Sequence, residues 1–214
     1  MPRIKQREKI LHQPSTQEIF HCLADMPEWP KLLMHHGSSK PYSDFLSWLI
    51  QINFKNESEE RIGIKGLANE FKSEPVKITK WIHAIYEDLF ELNYEQPHLF
   101  QSTGIPVSLY MSHYDDSCSF NLSLPTIPRA YETFRFFFIK AKAGTDHFWV
   151  KQVDHTVGES KTEITVWLEY GFANRYRELA LDKAIFLEMM RSMDKYDKYA
   201  FQIDEKLREL PIHK

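Results

Sequence analysis

Three constellations in the chain hold residue types capable of metal or acid–base chemistry. His35 and His36 are adjacent, so they point in different directions and cannot share one helix face; "HHGSSKPY" reads as a loop. "HYDDSC" gathers His113, Asp115, Asp116 and Cys118, all metal-ligand types, at what reads as the solvated tip of a hairpin. Asp146-His147 and Asp154-His155 flank one strand, but Asp154 and His155 point to opposite sheet faces and cannot form a dyad within it. The chain has no G-x-S-x-G, H-E-x-x-H, Walker loop or G-x-G-x-x-G. We expect no catalytic residue, no metal and no cofactor, and hence a non-enzymatic protein.

Two basic groupings stand apart from these. Lys72, Lys77 and Lys80, with Thr79, fall where one helix would begin. Arg135, Lys140, Lys142 and Lys151, interleaved with Phe137 and Trp149, would form a basic aromatic sheet face able to stack single-stranded bases. Glu163 and Glu169 share that face and counter its charge.

The elements that must position these residues are bounded by composition. A chain of 214 residues, 43% hydrophobic, buries a real core in one domain or two small ones. Its 7 glycines argue against a disordered or phosphate-cradling chain. A net charge of −3 excludes a molecule that is basic throughout, so any basic patch is local. Cys22 and Cys118 stand far apart and read as free thiols of a reducing compartment. "MPRIKQREKILHQ" has no apolar region after its basic residues, so it does not read as a secretory signal. The longest apolar run, "FRFFFI", is strand-length and far below the ~20 residues of a membrane span. A cytoplasmic protein is expected.

Residues 1–100 read as helical. "STQEIFHCLADM" places Ile19, Phe20 and Leu23 at helical spacing behind a Ser15 or Thr16 cap, with Glu18 placed for a capping box. "PEWPKLL" reads as a turn or helix start. "YSDFLSWLIQINF" gives Phe45, Leu46, Leu49, Ile50 and Ile52 after Ser43 or Asp44, and "KNESEERIG" is a polar connection. From 105 the chain alternates as about five strands of an antiparallel meander, with "SCSFNLSL" the cleanest. "YETFRFFFIKAKA" reads as a central strand. Trp149 and Trp167 fall opposite Phe148/Val150 and Val166/Leu168, so both sheet faces should be covered, by helices or by a second subunit. "NRYRELALDKAIFLEMMRSM" forms an amphipathic C-terminal helix with Tyr176, Leu179, Phe186, Met190 and Met193 near one face; Met189, Met190 and Met193 suit core or dimer packing.

"LANEFKSEPVKITKWIHAIYEDLFELN" reads as a helix, a tight break and a longer helix. Leu67, Ala68 and Phe71 supply the inner face of the first, and Ile78, Trp81 and Ile82 that of the second. This resembles the bacterial helix-turn-helix family, in which a Leu-Ala pair leads to an apolar residue ten positions after the Ala. The resemblance covers residues 64–93. It implies that Lys72, Lys77, Thr79 and Lys80 face DNA. The family usually has Gly at the turn, where φ is positive; here Lys72 stands there, and Ser73 replaces the apolar turn residue. Ser73 is placed to cap the second helix, with Pro75 in its first turn. Glu74, Pro75 and Val76 stand where base-reading donors belong. Glu57, Glu59, Glu60, Glu70, Glu74, Glu87, Asp88, Glu91 and Glu95 outnumber Arg61, Lys65, Lys72, Lys77 and Lys80. "PRIKQREK" would supply the missing charge if it folded alongside.

The sequence thus predicts an α+β protein. A helical unit (1–100) carries a helix-turn-helix-like pair, and residues 105–214 form the meander with a long C-terminal helix. The functional expectation is a DNA-binding or regulatory protein, with DNA and a second copy as partners, no membrane, and an α+β domain that dimerises or senses a ligand. The alternative is an interaction protein in which the helical pair only packs.

Overall fold

A computed structural model describes residues 12–36, 40–51, 63–101, 103–113, 116–159, 162–194, 198 and 200–211, with Asp116 and Ala200 in backbone only. The arm "PRIKQREK", Ile52, most of "KNESEERIG" and Asp115 lie outside them, as does the Asp116 side chain. The chain divides into two compact units, Met1–Gly171 and Phe172–Lys214.

In the first unit, α1 (Thr16–Asp25) starts at Ser15, whose hydroxyl accepts the Glu18 N–H as expected. The box is not completed: the Glu18 carboxylate turns to His12 at 3.3 Å. Then come α2 (Glu28–His36), α3 (Ser43–Gln51), α4 (Ile64–Glu70) and α5 (Pro75–Glu95). His35 and His36 close α2 rather than lying in a loop. Helix α5 organises this unit. Ile78, Ile82, Ile85, Tyr86, Leu89, Leu92 and Asn93 recur at helical spacing and are all buried. No helix among the described residues is long and apolar enough to cross a membrane.

The strands are β1 (Ile105–His113), β2 (Asp116–Leu124), β3 (Thr133–Arg135), β4 (His147–Val157) and β5 (Thr162–Tyr170). They form one sheet, but not the meander the spacing suggests. Its order is β2-β1-β5-β4-β3, and β1 runs parallel to β5 at its centre. Two antiparallel groups, β1–β2 and β3–β4–β5, have therefore joined through their first and last strands. Local alternation fixes which face of a strand is apolar, but not which strand lies beside it.

The run Phe136–Ile139 is not the central strand expected of it. After the three residues of β3 the chain leaves the sheet, forms a 3-10 turn (Phe137–Ile139) and a one-turn α6 (Lys140–Ala143). Phe136, Phe138 and Ile139 are buried among aromatics: Trp29 lies 4.6 Å from Phe138 and 4.8 Å from Phe120, ring centre to ring centre. Periodicity alone does not tell a strand from a helical turn in a short run that is apolar throughout.

Helices cover one face of the sheet. Leu109, Met111, Phe120, Phe148, Val150, Val166 and Leu168 share one core with α1, α2, α3 and α5. The opposite face is treated differently: Tyr131 stacks on Trp149 at 5.9 Å with planes 6° apart, whereas Tyr110 and Trp167 pair at 4.6 Å and stay partly exposed. A loop residue, not a helix, covers Trp149.

In the second unit, α7 (Arg175–Phe186) is capped by Asn174 and is followed by a separate α8 (Ala200–Glu209). The expected long helix is thus a 12-residue one that ends at Leu187, with Glu188 next at φ 56°. Its orientation is also corrected. Leu181 and Ala184 form the small core with Met190, Ile203 and Leu207, while Tyr176, Leu179 and Phe186 face outward.

Candidate nucleic-acid interface

The site begins with the corner between α4 and α5. Leu67, Ala68, Ile78 and Ile82 are buried between the two helices, the role their spacing assigns them. The small Ala68 lets the backbones approach, and Phe71 packs edge-on against Phe45 and Trp48, at 5.3 and 5.2 Å. The chain leaves α4 through bonds from Phe71 N–H to the Leu67 carbonyl and from Ser73 N–H to the Ala68 carbonyl. Such a reversal needs a left-handed residue, and Lys72 supplies it at φ 45°. A non-glycine residue there carries a strain of about 1 kcal/mol. Ser73 does not cap α5. The capping position falls on Glu74, which makes no side-chain bond, and Pro75 opens the helix as expected.

This corner places the four sequence-predicted residues together at the start of α5. Lys72, Lys77 and Lys80 are exposed, and Thr79 is half-buried. The Lys77 ammonium rests over the Trp81 indole, 4.9 Å from its centre, which holds the charge along the helix surface. The positive end of the α5 dipole adds to these charges. Glu70 and Glu74 are exposed nearby, as are Lys65 and Val76.

Two of the four acidic residues in the second half of α5, Glu87 and Asp88, are engaged by other segments of the fold. Lys142 of α6 grips Glu87 at 2.8 Å. Asp88 accepts the Tyr42 hydroxyl and lies 3.3 Å from the Lys40 ammonium. Glu91 and Glu95 remain exposed. Glu91 is fourteen residues from Lys77, about 21 Å along the axis, beyond two screening lengths at physiological salt. Sequence counting missed this because Lys40 and Lys142 come from distant segments.

The other constellations disperse. Lys140 and Lys142 sit on α6, not on the sheet; Lys151 binds Glu169 at 2.5 Å, Arg135 lies 3.5 Å from Asp146, and Trp149 is covered. No basic stacking face results. His147 Nδ1 pairs with its neighbour Asp146 at 2.9 Å, and Asp154 accepts the Trp167 indole N–H at 2.6 Å. His113 contacts the Ala143 carbonyl and stands edge-on to Tyr170. Among the described residues no three His, Cys, Asp or Glu side chains gather as a metal site.

One feature has no signal in the sequence. A shallow cleft of about 320 Å³ lies between α1 and the turn before α6, lined by Ser15, Gln17, Glu18, His21, Phe137 and Lys140. Beside it the Cys22 thiol donates to the Phe137 carbonyl. Burial pushes that thiol up to about 11, so it is no nucleophile near neutral pH. No protein-family model matches the chain, and no curated protein or solved structure matches it either.

Proposed function

We propose that this chain is a DNA-binding regulatory protein of the cytoplasm that works as a homodimer. Lys72, Lys77 and Lys80 meet the phosphate backbone, and Thr79 stands beside them. The observation that carries this reading is the separation of charge along α5. Its first turns are exposed and lysine-bearing, while Glu87 and Asp88 are engaged by Lys142, Lys40 and Tyr42. Lysines at a helix start suit phosphate contact, and Glu74, Pro75 and Val76 leave few donors for base edges. Binding is accordingly weak in sequence preference and strongly salt-dependent.

The test is a titration of the full chain with a pool of genomic fragments at low and high salt. Affinity should fall steeply with salt, and Lys77→Glu or Lys80→Glu should each flatten the log–log slope by about 0.9 per lost phosphate contact. No detectable binding at low salt sinks the reading.

Val76 supports the second reading, a non-enzymatic interaction protein. It is 62% exposed beside Pro75, an apolar spot where a DNA reader would carry a donor. On that reading Val76→Asp abolishes capture of a protein partner and leaves any weak DNA binding almost unchanged.

A further inference from the structure

Large apolar side chains open to solvent concentrate in the C-terminal unit, among them Phe172, Tyr176, Leu179, Phe186, Met193 and Phe201. Helix α7 accounts for three of them. Leu181 and Ala184 turn to the small core, and Arg177 is held by Asp204 and Glu178. At 100° per residue Leu179 and Phe186 emerge on the opposite side, with Tyr176 at its margin. They are 66%, 84% and 88% exposed respectively. A helix apolar on two faces has a second surface to cover, and a stripe of this kind marks an interaction site.

The charges beside the stripe say what covers it. Arg175 and Asp182 lie two turns apart on the same margin, and both are exposed. A two-fold axis perpendicular to the helix reverses its direction and keeps each margin on its own side. With that axis at Leu179, Arg175 of one copy meets Asp182 of the other, twice by symmetry. The same axis sets Leu179 against itself. The stripe is thus complementary to its own copy in both charge and apolar character.

We infer that the outer face of α7 is the docking surface for a second copy of this chain, antiparallel, with Leu179 on the two-fold axis. The inference rests on the homodimer part of the reading above and not on DNA binding.

Sedimentation of the full chain over a range of concentrations tests it. The chain should be a dimer whose melting temperature rises with concentration, and Leu179→Glu a monomer with unchanged circular dichroism and concentration-independent melting, because Leu179 lies outside the core. Asp182→Arg alone should raise the dissociation constant at least about tenfold by opposing like charges. The double variant Arg175→Asp with Asp182→Arg should restore it to within about threefold, which a merely structural role would not do. A wild-type monomer at all concentrations overturns both the inference and the homodimer. A dimer that survives Leu179→Glu, or no rescue by the double variant, overturns the inference alone. The DNA titration, run on the same samples, reads the other half of the proposed function separately.

Discussion

The Asn93 side chain grips the backbone of Asn121 from both sides. Its amide donates to the Asn121 carbonyl at 2.7 Å, and its carbonyl accepts the Asn121 N–H at 2.8 Å. Asn121 lies on the sheet's edge strand β2, so Asn93 completes a row of bonds that a further strand would otherwise make. It also ties the end of α5 to the sheet and so fixes the direction in which the lysines at its start point. Asn93→Ala should cost about 2 kcal/mol, because a buried donor and acceptor are left unmade. Asn93→Asp should cost more, since it buries a carboxylate oxygen against the Asn121 carbonyl, acceptor against acceptor. Urea denaturation measures both; a loss below ~0.5 kcal/mol for Asn93→Ala would mean that the clamp is idle.

Lys72 separates stability from binding. Glycine accepts φ 45° without the strain a lysine carries there, so Lys72→Gly should stabilise the fold by about 1 kcal/mol. On the proposed function the same change removes a phosphate contact and lowers the salt slope by about 0.9. Melting and titration of one variant should therefore move in opposite senses. A slope that stays unchanged removes Lys72 from the interface.

Asp194 predicts an acid transition in the C-terminal unit. Hydrogen bonds from Lys206 and Arg191 hold this buried carboxyl well below its usual range, and Lys198 adds to them. A folded value below the unfolded one means that the stabilisation is full above the unfolded pKa of 3.8 and is lost as pH falls toward the folded value. Asp194→Asn should lower the unit's melting temperature at neutral pH, and the gap from wild type should narrow below pH about 4. Melting followed against pH checks this; a gap that stays constant with pH refutes it.

Cys22 has the opposite sign. Burial raises its thiol from 9.0 to about 11, so the fold favours the protonated form. Its contribution is full below the unfolded value near 9.0 and is lost as pH rises toward 11. Alkylation at pH ~8 should label Cys22 only as fast as the protein opens, and ahead of it Cys118, which is only half-buried. Mass spectrometry of the two peptides distinguishes them, and equal rates would contradict the burial argument.

The sequence by itself determined the elements whose faces repeat locally. Ile78 and Ile82 mark the inner face of α5, Phe120 and Leu122 that of β2, and Leu67, Ala68 and Phe71 the corner that sets Lys72, Lys77 and Lys80 at the start of a helix. Periodicity and turn chemistry act over a few residues, so they can be read along the chain. Only the tertiary structure decided the rest. The parallel pairing of β1 with β5 joins segments more than fifty residues apart. Phe136–Ile139 became a turn because aromatics from α2, α5 and β2 enclose it. The side of α7 that faces inward was settled by α8 and Met190, which its own apolar pattern does not specify. The candidate site divides the same way. Its lysines were legible as a cluster, but the neutralisation of Glu87 and Asp88 depends on Lys142 and Lys40, and a charge balance taken along the chain cannot contain partners that only folding brings near.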